Sequence, residues 1–296
     1  MKVVVFGGSG FIGSHVADAL TAAGHNVTIF DRKPSPFLQY SQKMIVGDIL
    51  NEGLVRKTVE GSGYVYNFAA IADIEEASRK PIESVKTNIL GNTVILDACR
   101  KTDVKRFIFA SSIYVYSKSG SFYRSTKQAC ELLIENYKEI FGLPYTIIRY
   151  GSLYGPRADK NNFIYSVLRQ ALVEKKILRE GDGEEIREYI HAYDAARCSI
   201  EILGDDFMNQ YVIITGNQQM KIKDLFLMIK EILDNQIKIR YSKPKGNYHY
   251  EITPYTFAPK LAKRYMSKTY LDLGQGLLKT LEEIHGKISL APAKKK

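Results

Sequence analysis

No run of eighteen apolar residues occurs anywhere in the chain, and a helix that crosses a membrane needs about that many. The opening Met1 to Gly8 is too short and too glycine-broken for a secretory signal, so a cytoplasmic location without membrane contact is expected. Cysteine is scarce. Cys99, Cys130 and Cys198 form an odd set without metal-ligand spacing, and Cys99 and Cys130 fall in apolar helical patterns. They read as buried reduced thiols rather than a disulfide or zinc site. His15, His25, His191, His249 and His285 are equally scattered, which leaves no metal site to propose. They read as structural or exposed, with only His191 near an expected ligand. A nucleic-acid recognition module is missing too, because no basic stretch is interleaved with aromatics. The net charge of +10 therefore fits an anionic, phosphate-bearing small ligand rather than nucleic acid.

What remains is an ordinary globular composition, 45% hydrophobic and 25% charged over 296 residues, enough for one large domain or two small ones. Lys2 to Phe6 is a strand of mostly β-branched residues. It runs into Gly7-Gly8-Ser9-Gly10-Phe11-Ile12-Gly13 and then a helical pattern through Ala23. Glycines at this spacing permit a tight turn and bring backbone N–H groups to a pyrophosphate at the helix N-terminus. The bland alternative is a glycine turn that binds nothing, but a strand before and a helix after are what a dinucleotide fingerprint requires. The second strand, Asn26 to Phe30, ends at Asp31, eighteen positions after Gly13. A carboxylate there accepts from both ribose hydroxyls and repels a 2′-phosphate, favouring NAD over NADP; Arg32 and Lys33 soften that repulsion. Otherwise Asp31 is a solvated acid at a strand end.

Lys43 to Val46 forms a third strand, followed by Asp48, set to meet the adenine amino group, and Ile49, set to pack on its ring. A helix over Glu52 to Val59 leads to the fourth strand, Tyr64 to Asn67. The small residues of Phe68-Ala69-Ala70 then let the cofactor lie against backbone. Ile82 to Lys101 reads as one long helix with a broad apolar face. Asn88 and Asn92 interrupt it; Asn88 either bonds the turn around Ser111 or the cofactor, or is simply solvated. Lys105 to Ala110, the fifth strand, delivers Ser111 and Ser112, and after Ser117 to Phe122 comes a helix carrying Tyr123 and Lys127 as far as Phe141. Four positions apart on a helix, a phenol and an ammonium share a face, and the cation favours the phenolate. Ser112 can reach the same point, making a proton-handling trio. With Tyr145 to Arg149 as a further strand, the alternation describes an α/β fold with a doubly wound parallel sheet.

The ordered motifs Gly7-x-x-Gly10-x-x-Gly13, Asp31, Asp48-Ile49, Phe68-Ala69-Ala70, Ser111-Ser112, Tyr123-x-x-x-Lys127, Arg149-Tyr150 with Leu153 to Arg157, and Arg187 to Asp194 resemble the extended short-chain dehydrogenases/reductases. The nearest branch is similar to the NAD-dependent sugar epimerase/dehydratase family. That resemblance implies a Rossmann-type NAD-binding domain over residues 1–158 and a smaller lobe, mainly 159–290, that grips a nucleoside diphosphate sugar. Some segments of that lobe return to the core, and residues 291–296 form a flexible tail. Elements expected in the second half are helices over Phe163 to Lys176, Ala192 to Leu203, Ile222 to Leu233 and Leu277 to His285, and strands over Glu184 to Ile190 and Gln210 to Thr215. The same resemblance adds Ser111 and Tyr150 to the cofactor contacts, puts Ser152 and Arg187 on the substrate, and implies a homodimer through the Ile82–Lys101 and Tyr123–Phe141 helices.

Three departures from the family pattern are visible. Asn67 stands where many members have histidine, and Ser152 where relatives place an asparagine. The link between Ser112 and Tyr123 is about half the usual length or less, although six residues still span up to about 20 Å. Dehydratases of the family follow the catalytic hydroxyl with an aspartate-glutamate pair, and decarboxylases place a glutamate there. This chain has Ile113-Tyr114, which leaves elimination without an acid/base group. The expected activity is therefore epimerisation through transient oxidation at sugar C4. Net dehydrogenase or reductase activity and a non-catalytic NAD-binding protein are the alternatives.

Overall fold

The computed structural model describes residues 1–216 and 218–243. The helix expected over 277–285, most of the stretch from Tyr241 to Lys263, and the tail lie outside the described residues.

The first half alternates strand and helix as its hydrophobic pattern demands. In order come β1 (Lys2–Phe6), α1 (Phe11–Ala22), β2 (Asn26–Asp31), β3 (Lys43–Val46), α2 (Glu52–Val59), β4 (Tyr64–Asn67), α3 (Ile74–Arg79) and α4 (Pro81–Ser84). A π-helical turn, Val85–Leu90, joins α4 to α5 (Gly91–Arg100), so the single long helix expected here is interrupted at Asn88. Then come β5 (Arg106–Ser112), a 3-10 turn (Ile113–Tyr116), α6 (Ser121–Phe141) and β6 (Tyr145–Tyr150). The second half supplies β7 (Ser152–Tyr154), α7 (Phe163–Glu174), β8 (Lys176–Glu180), β9 (Ile186–His191), α8 (Ala192–Glu201), β10 (Gln210–Ile214), β11 (Gln219–Lys221), α9 (Ile222–Ile232) and β12 (Lys238–Ser242).

Seven strands form one sheet in the order β3-β2-β1-β4-β5-β6-β10, every neighbour parallel. Its strands read as continuous apolar runs because both faces are covered. Val4 and Phe6 of β1 pack into one core with α2, α5 and α6, while Val3 and Val5 pack into the other with α1 and α8. The order reverses between β1 and β4, where the chain leaves β1 in one direction and β4 in the other. A crevice opens at such a switch point, at the carboxyl ends of the strands. The second half returns β10 to this sheet and builds two small ones, β11-β9-β7 and β12-β8, over a third core around Val167, Ile177, Phe226 and Ile229.

Candidate active site

The two loops at the switch point touch. A methyl group on Gly7 would lie 2.6 Å from the backbone nitrogen of Ala69, and Gly7 has a φ of +74°, so only glycine fits. A methyl on Gly13 would come within 2.3 Å of the Gly7 carbonyl oxygen. The turn therefore closes over the start of α1, whose N-cap Gly10 offers no side-chain hydrogen bond and whose first turn has no acidic residue. The leading N–H groups at Phe11, Ile12 and Gly13 are left for an anion, and the helix dipole favours one. Asp31, at the end of β2, accepts from the Ser9 N–H at 3.1 Å and from the Lys33 N–H at 3.3 Å, which anchors the acid beside the turn. Arg32 is exposed next to it. This cradle fits a dinucleotide: bare backbone N–H groups for the pyrophosphate and a carboxylate at the end of the neighbouring strand for the ribose.

Asparagines shape the opposite wall. The Asn67 side chain accepts from the Ala69 N–H at 3.0 Å and donates to Asn92 at 2.9 Å, fixing the loop Phe68-Ala69-Ala70. Asn88 accepts from the Ile71 N–H at 2.7 Å and donates to the Ile71 carbonyl and to Thr126 of α6. It therefore bonds neither the Ser111 turn nor solvent; it ties the β4 loop to the helix bearing Tyr123. Mid-helix asparagines persist here because their amides serve another segment.

Three other expected cofactor contacts have partners within the protein. Ile49 is only 6% exposed and lies so close to Gly91 that a methyl there would come within 2.3 Å of its Cδ1, so its side chain belongs to the core. Ser111 donates to Glu131 at 2.6 Å. The Tyr150 hydroxyl meets Ser199 of α8 at 2.6 Å while its ring tilts against Phe68. Asp48 is exposed and accepts from the Leu50 N–H, leaving its outer face open.

The trio does converge. Ser112 caps the 3-10 turn by accepting from the Tyr114 N–H at 3.3 Å, and its hydroxyl hydrogen-bonds the Tyr123 oxygen. Lys127 is buried; its ammonium donates to the Ala110 carbonyl at 2.6 Å and lies 5.8 Å from the centre of the Tyr123 ring. Burial pushes the Tyr123 phenol up to about 12, with the Ser112 hydrogen bond pulling the other way, and brings the Lys127 ammonium down to about 8. Desolvation outweighs the Ser112 hydrogen bond, and the expected lowering by Lys127 is not among the influences on the phenol.

The short link before Tyr123 is strapped down rather than slack. Arg124 donates to the Ser117 and Lys118 carbonyls, Gln128 to the Val115 carbonyl, and the Tyr114 ring stands edge-on to Tyr123 at 6.3 Å. On the substrate side, Ser152 of β7 pairs in register with Tyr189 of β9, so Ser152 and Arg187 share one face of the small sheet. Arg187 is buried and donates to the Ile186 carbonyl. Glu184 pairs with Lys221 and Lys223. His191 accepts from the Tyr193 N–H as the cap of α8, and the buried His15 bonds the Pro156 carbonyl, so both are structural. Among the described residues no group of three His, Cys, Asp or Glu could hold a metal.

Sequence reasoning assigns no role to Glu131, which the structure joins to Ser111 and to Arg149, itself bonded to Tyr116. The available signal was the continuation of the Tyr123, Lys127 spacing by four to Glu131.

Known proteins bear on this geometry. A UDP-N-acetyl-alpha-D-glucosaminuronate decarboxylase from Bacillus cytotoxicus is 29% identical over 80% of this chain and 82% of its own. The crystal structure of a UDP-glucose 4-epimerase from Thermotoga maritima, with UDP-glucose, is 26% identical with a TM-score of 0.79, covering 97% of this chain and 100% of that one. A UDP-glucuronic acid 4-epimerase from Bacillus cereus, in complex with UDP-glucuronic acid and NAD, is 27% identical with a TM-score of 0.78, covering 88% and 90%. The family model described as the NAD dependent epimerase/dehydratase family matches residues 3–213, from the first strand to the strand that closes the main sheet, and the chain belongs to that family.

Proposed function

We propose that the protein is an NAD-dependent 4-epimerase of a UDP-sugar. The observation that carries the reading is the meeting of the Ser112 and Tyr123 hydroxyls, with Lys127 one turn on, next to a cradle suited to NAD. In the proposed cycle Tyr123 takes the proton of the sugar 4-hydroxyl while Ser112 hydrogen-bonds the same oxygen. When bound, NAD supplies the hydride acceptor at C4 and a positively charged ring that favours the Tyr123 phenolate. The 4-keto sugar turns over in the pocket and is reduced on its other face, and Tyr123 returns the proton it took. No net redox change remains. Ser152 and Arg187 hold the diphosphate; a guanidinium suits that task through its paired donors.

Decarboxylation and 4,6-elimination are disfavoured, because the aromatic Tyr114 occupies the spot beside Tyr123 where those family members carry a carboxyl group. The test is incubation of the purified protein with UDP-glucose, UDP-N-acetylglucosamine and UDP-glucuronic acid, with sugars resolved by NMR and NADH followed by absorbance. A C4 epimer without NADH accumulation is expected. Sustained NADH production would replace this reading with a net oxidoreductase, and loss of carbon dioxide with a decarboxylase.

The working assembly in this reading is a homodimer. Ile82 before the π turn, Leu90 at its end, and Phe122, Leu132 and Ile140 along one side of α6 are exposed apolar side chains that a second copy would cover. Sedimentation of Leu132→Glu as a monomer beside a dimeric parent is the expected outcome. Three free thiols accord with a reducing, cytoplasmic setting, and no helix among the described residues is long and apolar enough to cross a membrane. The division near residue 158, cofactor before it and mainly sugar nucleotide after it, belongs to the same proposal.

A further inference from the structure

Beneath the trio lies a polar network that no step of the cycle uses. Glu131 is 6% exposed and sits one helical turn beyond Lys127. One carboxylate oxygen accepts from the Ser111 hydroxyl at 2.6 Å and from Arg149 Nε at 3.0 Å; the other accepts from Arg149 Nη2 at 2.7 Å. Arg149 Nη1 donates to the Tyr116 hydroxyl, and its guanidinium is sandwiched between the Tyr116 ring at 4.6 Å and the Tyr211 ring at 4.3 Å. Ser111 precedes Ser112, and Tyr116 closes the 3-10 turn that Ser112 caps. The segment bearing Ser112 is thus tethered on both sides to one side chain of the helix that bears Tyr123 and Lys127.

We infer that Glu131, acting through Ser111 and Arg149, is a positioning residue that holds Ser112 in register with Tyr123 and Lys127. A buried carboxylate is costly to keep, and the bidentate guanidinium plus the serine satisfies it. A sheet and helix joined by apolar packing alone tolerate sliding of a few tenths of an ångström; a fork of three charge-assisted bonds does not. Proton transfer between hydroxyls depends on that precision.

The carboxylate has a second effect through space. Lys127 is faced by Glu131, Cys130 and the Tyr123 ring on its own helix, by the Ala110 carbonyl and the Phe109 ring of β5, and by Arg149 of β6 through Glu131. Glu131 supports the charged form of Lys127, whereas removing its charge leaves the Arg149 cation opposing it.

The inference rests on the proposed epimerase chemistry, and the first arm of its test is independent of turnover. In NAD-loaded protein carrying lysine labelled with carbon-13 at Cε, the Lys127 resonance, assigned by its loss in Lys127→Met, is followed through a pH titration. Glu131→Gln is expected to lower the Lys127 midpoint by about one pH unit or more. Ser111→Ala keeps the charge and cuts one tether: the midpoint stays, while kcat for the accepted sugar falls about 10-fold at unchanged KM. A Lys127 midpoint unmoved in folded Glu131→Gln overturns the electrostatic part, and an unchanged kcat in Ser111→Ala overturns the positioning. If Glu131→Gln does not fold, Ser111→Ala decides alone. Absence of turnover with every sugar would overturn the epimerase reading and leave the Lys127 titration to judge Glu131.

Discussion

The cofactor cradle and the trio follow the carboxyl ends of β1 and β5 in the same sheet, yet they are built in opposite ways. The cradle is made of backbone and of side chains that are missing: Gly7 touches Ala69 and Gly13 touches Gly7 with no space for a carbon between them. The trio is made of side chains that each carry several partners, with Lys127 on Ala110, Ser112 on Tyr114 and Tyr123, and Glu131 behind them. One region fails when atoms are added, the other when atoms or charges are taken away. Substitutions can separate the two.

Tyr123→Phe breaks the second region at its centre. Loss of the only proton acceptor in the proposed cycle is expected to lower kcat by about 10²–10⁴-fold, the usual worth of a positioned general acid or base. NAD affinity and the unfolding midpoint should change little, because the ring and its packing on Tyr114 remain. Turnover equal to the parent's would remove Tyr123 from the chemistry. Gly13→Ala attacks the first region. The added methyl meets the Gly7 carbonyl, so the turn must shift, at roughly 1–3 kcal/mol of stability. NAD titrated by quenching of protein fluorescence should bind at least about 10-fold more weakly. If affinity holds and kcat alone falls, the division between the regions is wrong.

This contrast also explains what could be read from the sequence. Glycine spacing and the Tyr123–Lys127 interval are local, and local geometry converts them directly into a turn and a shared helix face; both appear in the structure as expected. Ile49, Ser111 and Tyr150 carry further partners that the sequence does not announce, Gly91, Glu131 and Ser199, which lie 42, 20 and 49 positions away in the chain. Strands covered on both faces read as unbroken apolar runs, so their alternation does not reveal which residue faces which layer. Asn88 was ambiguous for the same reason, because its partners Ile71 and Thr126 come from separate elements. The short strands β8 and β12, paired among the described residues only with each other, carry too little pattern to stand out from the helices beside them.

The smallest effect gives the sharpest test of the contrast, because its sign is opposite. Lys127 releases its proton at about 8 in the folded protein, below the ordinary lysine value of 10.5 that the unfolded chain retains. Folding therefore works against a charged lysine; the penalty is complete below about pH 8 and fades as pH rises toward the unfolded value. At about 1.4 kcal/mol per pH unit, the penalty is on the order of 3–4 kcal/mol. Lys127→Met removes it but leaves the buried Ala110 carbonyl without its donor, a loss of about 2 kcal/mol. The variant should thus be more stable than the parent by roughly 1–2 kcal/mol at neutral pH in urea unfolding, with the gain gone at strongly alkaline pH. A residue whose removal stabilises the fold is retained for what it does, whereas Gly13, whose replacement destabilises it, serves fold and cofactor together. A destabilised Lys127→Met at neutral pH would make the lysine a structural strut and erase the distinction.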